Sequence, residues 1–146
     1  MTSFFGLFGG TAKARAIAEE RAAYLFSPAL HFSIDGVVAL CHGGGELPPN
    51  AALKSSLFLA AATPYANGAV TLENLERLYK RYGKKLRKRI PTPLAFALYD
   101  SKKGRLLLGG SMGRKCFLEE REDGILFSSE RDLLRSPIAV DLAVFK

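Results

Sequence analysis

The sequence of 146 residues has no tryptophan, two histidines and two cysteines. Cys41 and Cys116 are too few for a disulfide framework or a cysteine-based metal site, so we expect both to be reduced, buried and apolar in character. No apolar run approaches the roughly 20 residues of a membrane-spanning helix, and the stretch from Leu57 to Ala62 is far too short. The apolar patch from Phe4 to Phe8 follows no basic residues, unlike a signal peptide. These absences favour a cytoplasmic protein that needs no metal or other cofactor.

The length and composition predict one domain that spans residues 1–146. Hydrophobic residues make up 48% of the chain and charged residues 24%, which is ordinary for a globular protein. A chain of this length can bury a real hydrophobic core. The sequence contains no internal repeat, low-complexity tract or interdomain linker.

The net charge of +7 is concentrated in one segment. Apolar residues recur there at steps of three and four, which predicts an amphipathic helix with one buried face: Leu72, Leu75, Tyr79, Tyr82 and Leu86. Eight basic residues fill most of the remaining positions: Arg77, Lys80, Arg81, Lys84, Lys85, Arg87, Lys88 and Arg89. This basic surface is interpreted either as a solvated helix face or as a site for phosphate, nucleic acid or an acidic protein.

The remaining pattern predicts an α+β domain with antiparallel sheets. Thr11 and Asn50 are placed to cap helices that run to about Phe26 and over Ala51 to Ala62. Together with the basic helix these make three helices, which must cover the faces of the sheet. Tight turn signals separate the apolar runs that we interpret as strands: Ser3 to Phe8, Leu30 to Cys41 around Asp35-Gly36, Leu94 to Tyr99, Arg105 to Leu108, Lys115 to Glu119, Ile125 to Ser129 and Ile138 to Phe145.

Three stretches in the second half of the chain form a recognisable series: Leu78 to Gly83 (LYKRYG), Phe96 to Asp100 (FALYD) and Leu126 to Glu130 (LFSSE). Their order and spacing resemble class II glutamine amidotransferase domains, and most closely the glutamine-hydrolysing domain of asparagine synthetases. That family has a Leu-Tyr-x-x-Tyr-Gly helix, a Phe-Ala-Leu-Tyr-Asp strand and a Leu-Phe-Ala-Ser-Glu strand. In the first half, the opening MTSFFGLFGG and the segment 44–57 resemble the family's first strand and its Asn-Gly-Glu-Ile segment.

The resemblance implies the N-terminal-nucleophile hydrolase fold, a four-layer αββα sandwich of antiparallel sheets, here reduced in size. In that family the N-terminal cysteine, exposed when the initiator methionine is removed, attacks the side-chain amide of glutamine. Its own α-amino group serves as the base. An asparagine side chain and a glycine amide form the oxyanion hole, and an aspartate and an arginine hold the amino-acid end of the substrate.

Most of the catalytic residues that the resemblance implies are replaced. Thr2 stands at the cysteine position and Gly44 at the oxyanion asparagine, while Gly45 keeps the oxyanion glycine. Thr71 replaces the substrate-binding aspartate, although Glu73 preserves the glutamate two residues later. No residue between Gly10 and Asp35 matches the substrate-binding arginine, and Gly109 to Gly113 replaces the family's Arg-Asp-Arg-x-Gly segment. Since losing one oxyanion donor alone costs about 10²–10³ in rate, we expect little glutaminase activity.

Several chemical alternatives involve single residues. Threonine is a competent N-terminal nucleophile in related folds, so Thr2 keeps open an amidohydrolase or glutaminase. Cys41 and His42 are adjacent, but consecutive residues of a strand point to opposite faces, so we do not expect them to form a catalytic pair. His31 is interpreted as structural.

The sequence therefore leaves three hypotheses for function. The preferred one is a stand-alone, degenerate amidotransferase-like domain that binds a separately encoded synthetase-like protein and stabilises or regulates it. The second is an amidohydrolase that uses Thr2 and acts on glutamine or a related amide. The third is anion or nucleic-acid binding through residues 77–89, although the chain carries no RNA-binding aromatic motif.

Overall fold

The computed structural model describes residues 3–9, 12–25, 30–34, 38–43, 51–54, 56–62 and 72–146, with the backbone alone for residues 3, 22–25, 30–34, 38–43, 51–54 and 58. These residues form two α-helices, α1 (Ala12–Leu25) and α2 (Leu72–Tyr82), and two 3₁₀ helices, Gly83–Arg89 and Arg131–Leu133. They also form eleven strands: β1 (Ser3–Phe8), β2 (Leu30–Ile34), β3 (Val38–Gly43), β4 (Ala51–Lys54), β5 (Leu57–Ala62), β6 (Leu94–Asp100), β7 (Arg105–Ser111), β8 (Cys116–Arg121), β9 (Gly124–Ser128), β10 (Ile138–Val140) and β11 (Leu142–Phe145).

The strands make two sheets in which every described pair is antiparallel. The first sheet has the order β10-β8-β9-β1-β3-β2, and the second has the order β11-β7-β6-β5-β4. Tight hairpins join β6 to β7 and β8 to β9, as the turn signals predicted. The prediction of an α+β domain with antiparallel sheets is therefore confirmed.

The main hydrophobic core lies between the two sheets. Phe4 of β1 and Phe127 of β9 enter it from the first sheet, with their ring centroids 6.4 Å apart. Ala97 of β6 and Leu108 of β7 enter it from the second sheet. Because these side chains are fully buried, the two sheets share one apolar interior.

One α-helix packs against the other face of each sheet. Ala14 and Ala18 of α1 bury against Phe5 and Leu7 of β1. On the second sheet, the apolar stripe of α2 and the following 3₁₀ helix packs on strands β5, β6 and β7, with Leu75, Tyr79 and Leu86 buried. The architecture is thus an α+β sandwich with a helix outside each sheet.

A charged pair holds α1 to the first sheet. Arg21 Nη1 donates to Glu119 Oε1 of β8 at 3.0 Å and to the carbonyl oxygen of Leu133 at 3.3 Å. Burial alone would raise the pKa of Glu119, but hydrogen bonds from Arg21 and from the Arg135 amide outweigh it and hold that pKa below its usual value. The carboxylate therefore stays ionised at neutral pH and supports the contact between helix and sheet.

The helix predicted over Ala51 to Ala62 is wrong: these residues form the hairpin of β4 and β5. Strand β5 lies between β4 and β6 and is buried on both faces. Leu57, Leu59 and Ala61 face α2, whereas Ala60 and Ala62 face the core between the sheets. The leucine- and alanine-rich composition favours a helix, but burial on two opposite faces suits a strand of period two, and tertiary packing decides the outcome.

Two further boundaries differ from the prediction. The α-helix of the basic segment ends at Tyr82, where Gly83 adopts a φ of 58° and a 3₁₀ helix follows. The single strand predicted for Ile138 to Phe145 is interrupted at Asp141. Strand β10 pairs with β8 in the first sheet and β11 pairs with β7 in the second, so the chain crosses from one sheet to the other.

Strand β7 needs glycine where the chain approaches it most closely. A Cβ added to Gly110 would overlap the carbonyl group of Arg114, whereas a Cβ added to Gly104 would meet nothing within 4 Å. We expect Gly110→Ala to lower the free energy of unfolding by about 3 kcal/mol, because the neighbouring atoms are rigid backbone. Gly104→Ala, at a φ of 58°, should cost only about 1 kcal/mol for its left-handed backbone.

Urea denaturation of both variants beside the unsubstituted protein measures the difference. Equal losses of stability in the two variants would contradict the close approach at β7.

Candidate functional site

Of the residues that the resemblance assigns to a catalytic site, Thr2 precedes β1 in the sequence, Gly44 and Gly45 follow β3, and Thr71 precedes α2, which contains Glu73. The sheet register pairs Ser3 of β1 with Gly43, the last residue of β3. The candidate residues Thr2, Gly44, Gly45 and Thr71 lie outside the described residues. The structure therefore brings together β1 and β3, the strands next to Thr2 and Gly44 in the sequence, and leaves the nucleophile and oxyanion assignments as predictions.

Glu73 is the one candidate of this group that the structure describes. It lies in the first turn of α2, the helix that packs on the second sheet, and its side chain is exposed. Among the described residues it makes no ion pair. Its position therefore provides an accessible carboxylate at the start of a helix.

Two serines at the end of β9 fix the start of β1. The Phe4 amide donates to Ser129 Oγ at 2.9 Å, and Ser128 Oγ donates to the Phe4 carbonyl oxygen at 2.8 Å. The Ser129 amide reaches the same carbonyl at 3.1 Å. Both serines are buried, so these hydroxyl groups satisfy the backbone beside the N-terminus. The sequence analysis singled out the LFSSE motif only by its resemblance to the family, and it predicted no role for the two serines.

A charged pair that the sequence analysis missed adjoins these serines. The Glu130 amide donates to Ser128 Oγ at 2.9 Å, and Glu130 Oε1 lies 3.6 Å from Arg114 Nη2. Within the described part of the chain, Arg114 Nε and Glu130 Oε1 are buried atoms without a hydrogen-bond partner. The pair thus retains one donor and one acceptor that the described residues leave without a hydrogen bond. Only the glutamate, as the end of the LFSSE motif, gave a signal in the sequence.

Cys116 is a packing residue, as predicted. It is fully buried in the core between the sheets, on the first strand of the β8–β9 hairpin. Burial raises the pKa of its thiol to about 12, against the weaker opposing effect of hydrogen bonds to the Phe117 and Ser128 carbonyls. Since the thiolate is the reactive form, this cysteine is not a nucleophile in the folded protein.

The other cysteine and both histidines lie on β2 and β3, of which only the backbone is described. Register pairs Cys41 with His31 on one side and with Phe5 on the other, and it pairs His42 with Phe4. The predictions that Cys41 is buried, that Cys41 and His42 point apart and that His31 is structural remain predictions.

The structure places the basic surface on α2 and the following 3₁₀ helix. Seven of its side chains are exposed, and Arg87 is half-buried. Lys80 pairs with Glu76 at 3.4 Å, and Arg87 lies 3.6 Å from Asp141. The guanidinium groups of Arg81 and Arg89 lie 5.4 and 4.8 Å from the centroid of the Tyr82 ring. Within the described residues, the remaining lysines and Arg77 have no carboxylate within ion-pair distance.

Comparison of the sequence with models of known protein families and with curated proteins found no match. In the described part of the chain, no helix combines the length and apolar character needed to cross a bilayer. The same residues contain no cluster of three or more side chains suited to hold a metal ion.

The burial of Cys116 predicts its reactivity. In a Cys41→Ser variant, Cys116 is the only thiol left, and it should resist labelling by a soluble disulfide reagent at pH 8 because little of it is thiolate and none of it is exposed. The same protein in denaturant should label at once and completely.

Absorbance at the wavelength of the released thiol follows the reaction with time. Rapid stoichiometric labelling of the folded variant would show that the core between the sheets is open at this position.

Proposed function

We propose that this chain is a degenerate class II glutamine amidotransferase domain with the four-layer αββα fold of N-terminal-nucleophile hydrolases. In this proposal the domain acts by binding a separately encoded synthetase-like protein, which it stabilises or regulates. Release of ammonia from glutamine is not its main activity.

The observation that carries the fold assignment is the placement of β1. The resemblance implies two antiparallel sheets between helix layers, with the opening strand beside the strand that leads into the oxyanion segment. Strand β1 pairs with β3 and begins opposite Gly43, while α1 and α2 cover the outer faces of the two sheets. The FALYD and LFSSE motifs form β6 and the end of β9, which are both interior strands.

Binding is preferred over catalysis because the reactive groups needed for hydrolysis are replaced. Thr2, Gly44 and Thr71 stand in place of a thiol, an amide donor and a carboxylate. Near the start of β1, the described serines are hydrogen-bonded to the Phe4 backbone, and Cys116 holds its proton too tightly to attack an amide. Each lost charge-assisted hydrogen bond to substrate is worth roughly 1.5–3 kcal/mol, so glutamine would be held weakly as well as cleaved slowly.

The proposal is tested by assay and by co-purification on one preparation whose N-terminus is established by intact mass. We expect no more ammonia from glutamine with this protein than with its Thr2→Ala variant. We also expect affinity purification from native cells to yield, in a stoichiometric complex, a protein with a synthetase-type domain.

Turnover that disappears in Thr2→Ala would overturn the proposal and favour the amidohydrolase hypothesis. Recovery of nucleic acid or of no specific protein would contradict the proposed mode of action.

A further inference from the structure

We propose that strand β11 and the basic 3₁₀ helix beside it form a docking surface for an extended, acidic segment of a partner protein. This surface, called here the β11 edge, comprises Leu142, Val144, Lys84, Arg87 and Lys88. The inference rests on the proposed function in one respect, namely that the domain acts by binding a protein. It adds where the partner binds and what chemistry the partner brings.

Among the strands that the structure describes, β11 is an edge of the second sheet. It pairs with β7 on one side and ends the sheet order on the other. Ala143 and Phe145 pack towards the core, whereas Leu142 and Val144 point away from it and are 39% and 38% exposed. The strand carries no charged residue between Leu142 and Phe145, although protected edge strands usually do. Its outward amide and carbonyl groups can therefore pair with another extended chain.

The basic 3₁₀ helix is held near this edge by Arg87. Arg87 Nε donates to the Gly110 carbonyl oxygen of β7 at 2.7 Å, and its Nη2 lies 3.6 Å from Asp141, the residue before β11. A 3₁₀ helix has three residues per turn, so Lys84 lies on the same face one turn earlier. Lys84 and Lys88 are exposed and, among the described residues, have no carboxylate within ion-pair distance. Acidic side chains of a docked strand would thus find unpaired lysines next to the arginine that contacts β7 and Asp141.

The local charge selects among possible occupants. The segment 72–89 holds eight basic and two acidic residues, so it carries +6 of the chain's net +7. A second copy docked edge to edge would bring two such segments together, which disfavours self-association. A nucleic acid would use the lysines but gain nothing from the apolar edge of β11. An acidic chain that alternates with apolar residues uses both features.

The probe for this inference is an eight-residue peptide of alternating glutamate and valine, titrated into the full-length protein and followed by backbone amide NMR. Controls are the lysine–valine peptide of the same pattern, an octamer of glutamate and an octamer of uridylate. We expect the glutamate–valine peptide to bind most tightly of the four, to shift the Lys84 and Lys88 amides and to slow hydrogen exchange in Leu142–Phe145.

Matched variants localise the interaction. The double variant Lys84→Glu, Lys88→Glu should weaken binding of the glutamate–valine peptide by about tenfold or more, since two exposed attractions become repulsions. Lys13→Glu makes a single charge reversal of the same kind on the exposed side of α1, beyond the first sheet, and should leave the affinity unchanged.

The inference is overturned by equal binding of the lysine–valine peptide, by tighter binding of the uridylate octamer, by dimerisation at NMR concentration or by shifts confined to another surface. It is also overturned if no peptide binds while a synthetase-like protein co-purifies, in which case the proposed function stands and another surface serves it. Peptide binding at β11 without any such partner would support this surface and count against the proposed function alone.

Discussion

The structure depends on the burial of β1 on both faces. Phe4 and Phe8 pack into the core between the sheets, and Phe5 and Leu7 pack beneath α1. Because β1 also has a strand on each side, all of its backbone can be paired within the first sheet. Strand β1 thus contacts α1 on one face and the second sheet on the other, and it connects β9 to β3 within the first sheet. These contacts fix the position of β1 beside β3.

The distribution of polar groups follows from this packing and bears on function. Near the start of β1, buried serines satisfy the Phe4 backbone, and the Arg21–Glu119 pair holds α1 over the first sheet. Both arrangements maintain the scaffold. Within the described residues, exposed basic side chains without a carboxylate partner cluster instead on the basic surface, near strand β11. The described buried polar groups thus serve the fold, and the basic surface is left accessible.

The sequence predicts an element well where one helical face is buried or where turn signals bound a short apolar run. The stripe of Leu75, Tyr79 and Leu86 and the β6–β7 hairpin were identified correctly in these two ways. It fails at β5, because a leucine–alanine run buried on two faces has no periodicity that separates strand from helix. It also cannot show that Asp141 divides one apolar run between two sheets, or that Arg114 and Glu130 lie together, since both depend on contacts between distant segments. The motifs indicated candidate strands for the site. The two buried atoms without a hydrogen bond, Arg114 Nε and Glu130 Oε1, can be identified only from the structure.

Native-state amide hydrogen exchange of β1 tests the central claim most directly. Amides of weakly packed segments exchange far faster than global unfolding allows. If β1 is enclosed as described, the amides of Phe5, Gly6 and Leu7 should exchange only through global unfolding, as slowly as those of β6. Exchange of these amides through local opening, while β6 remains protected, would contradict the account.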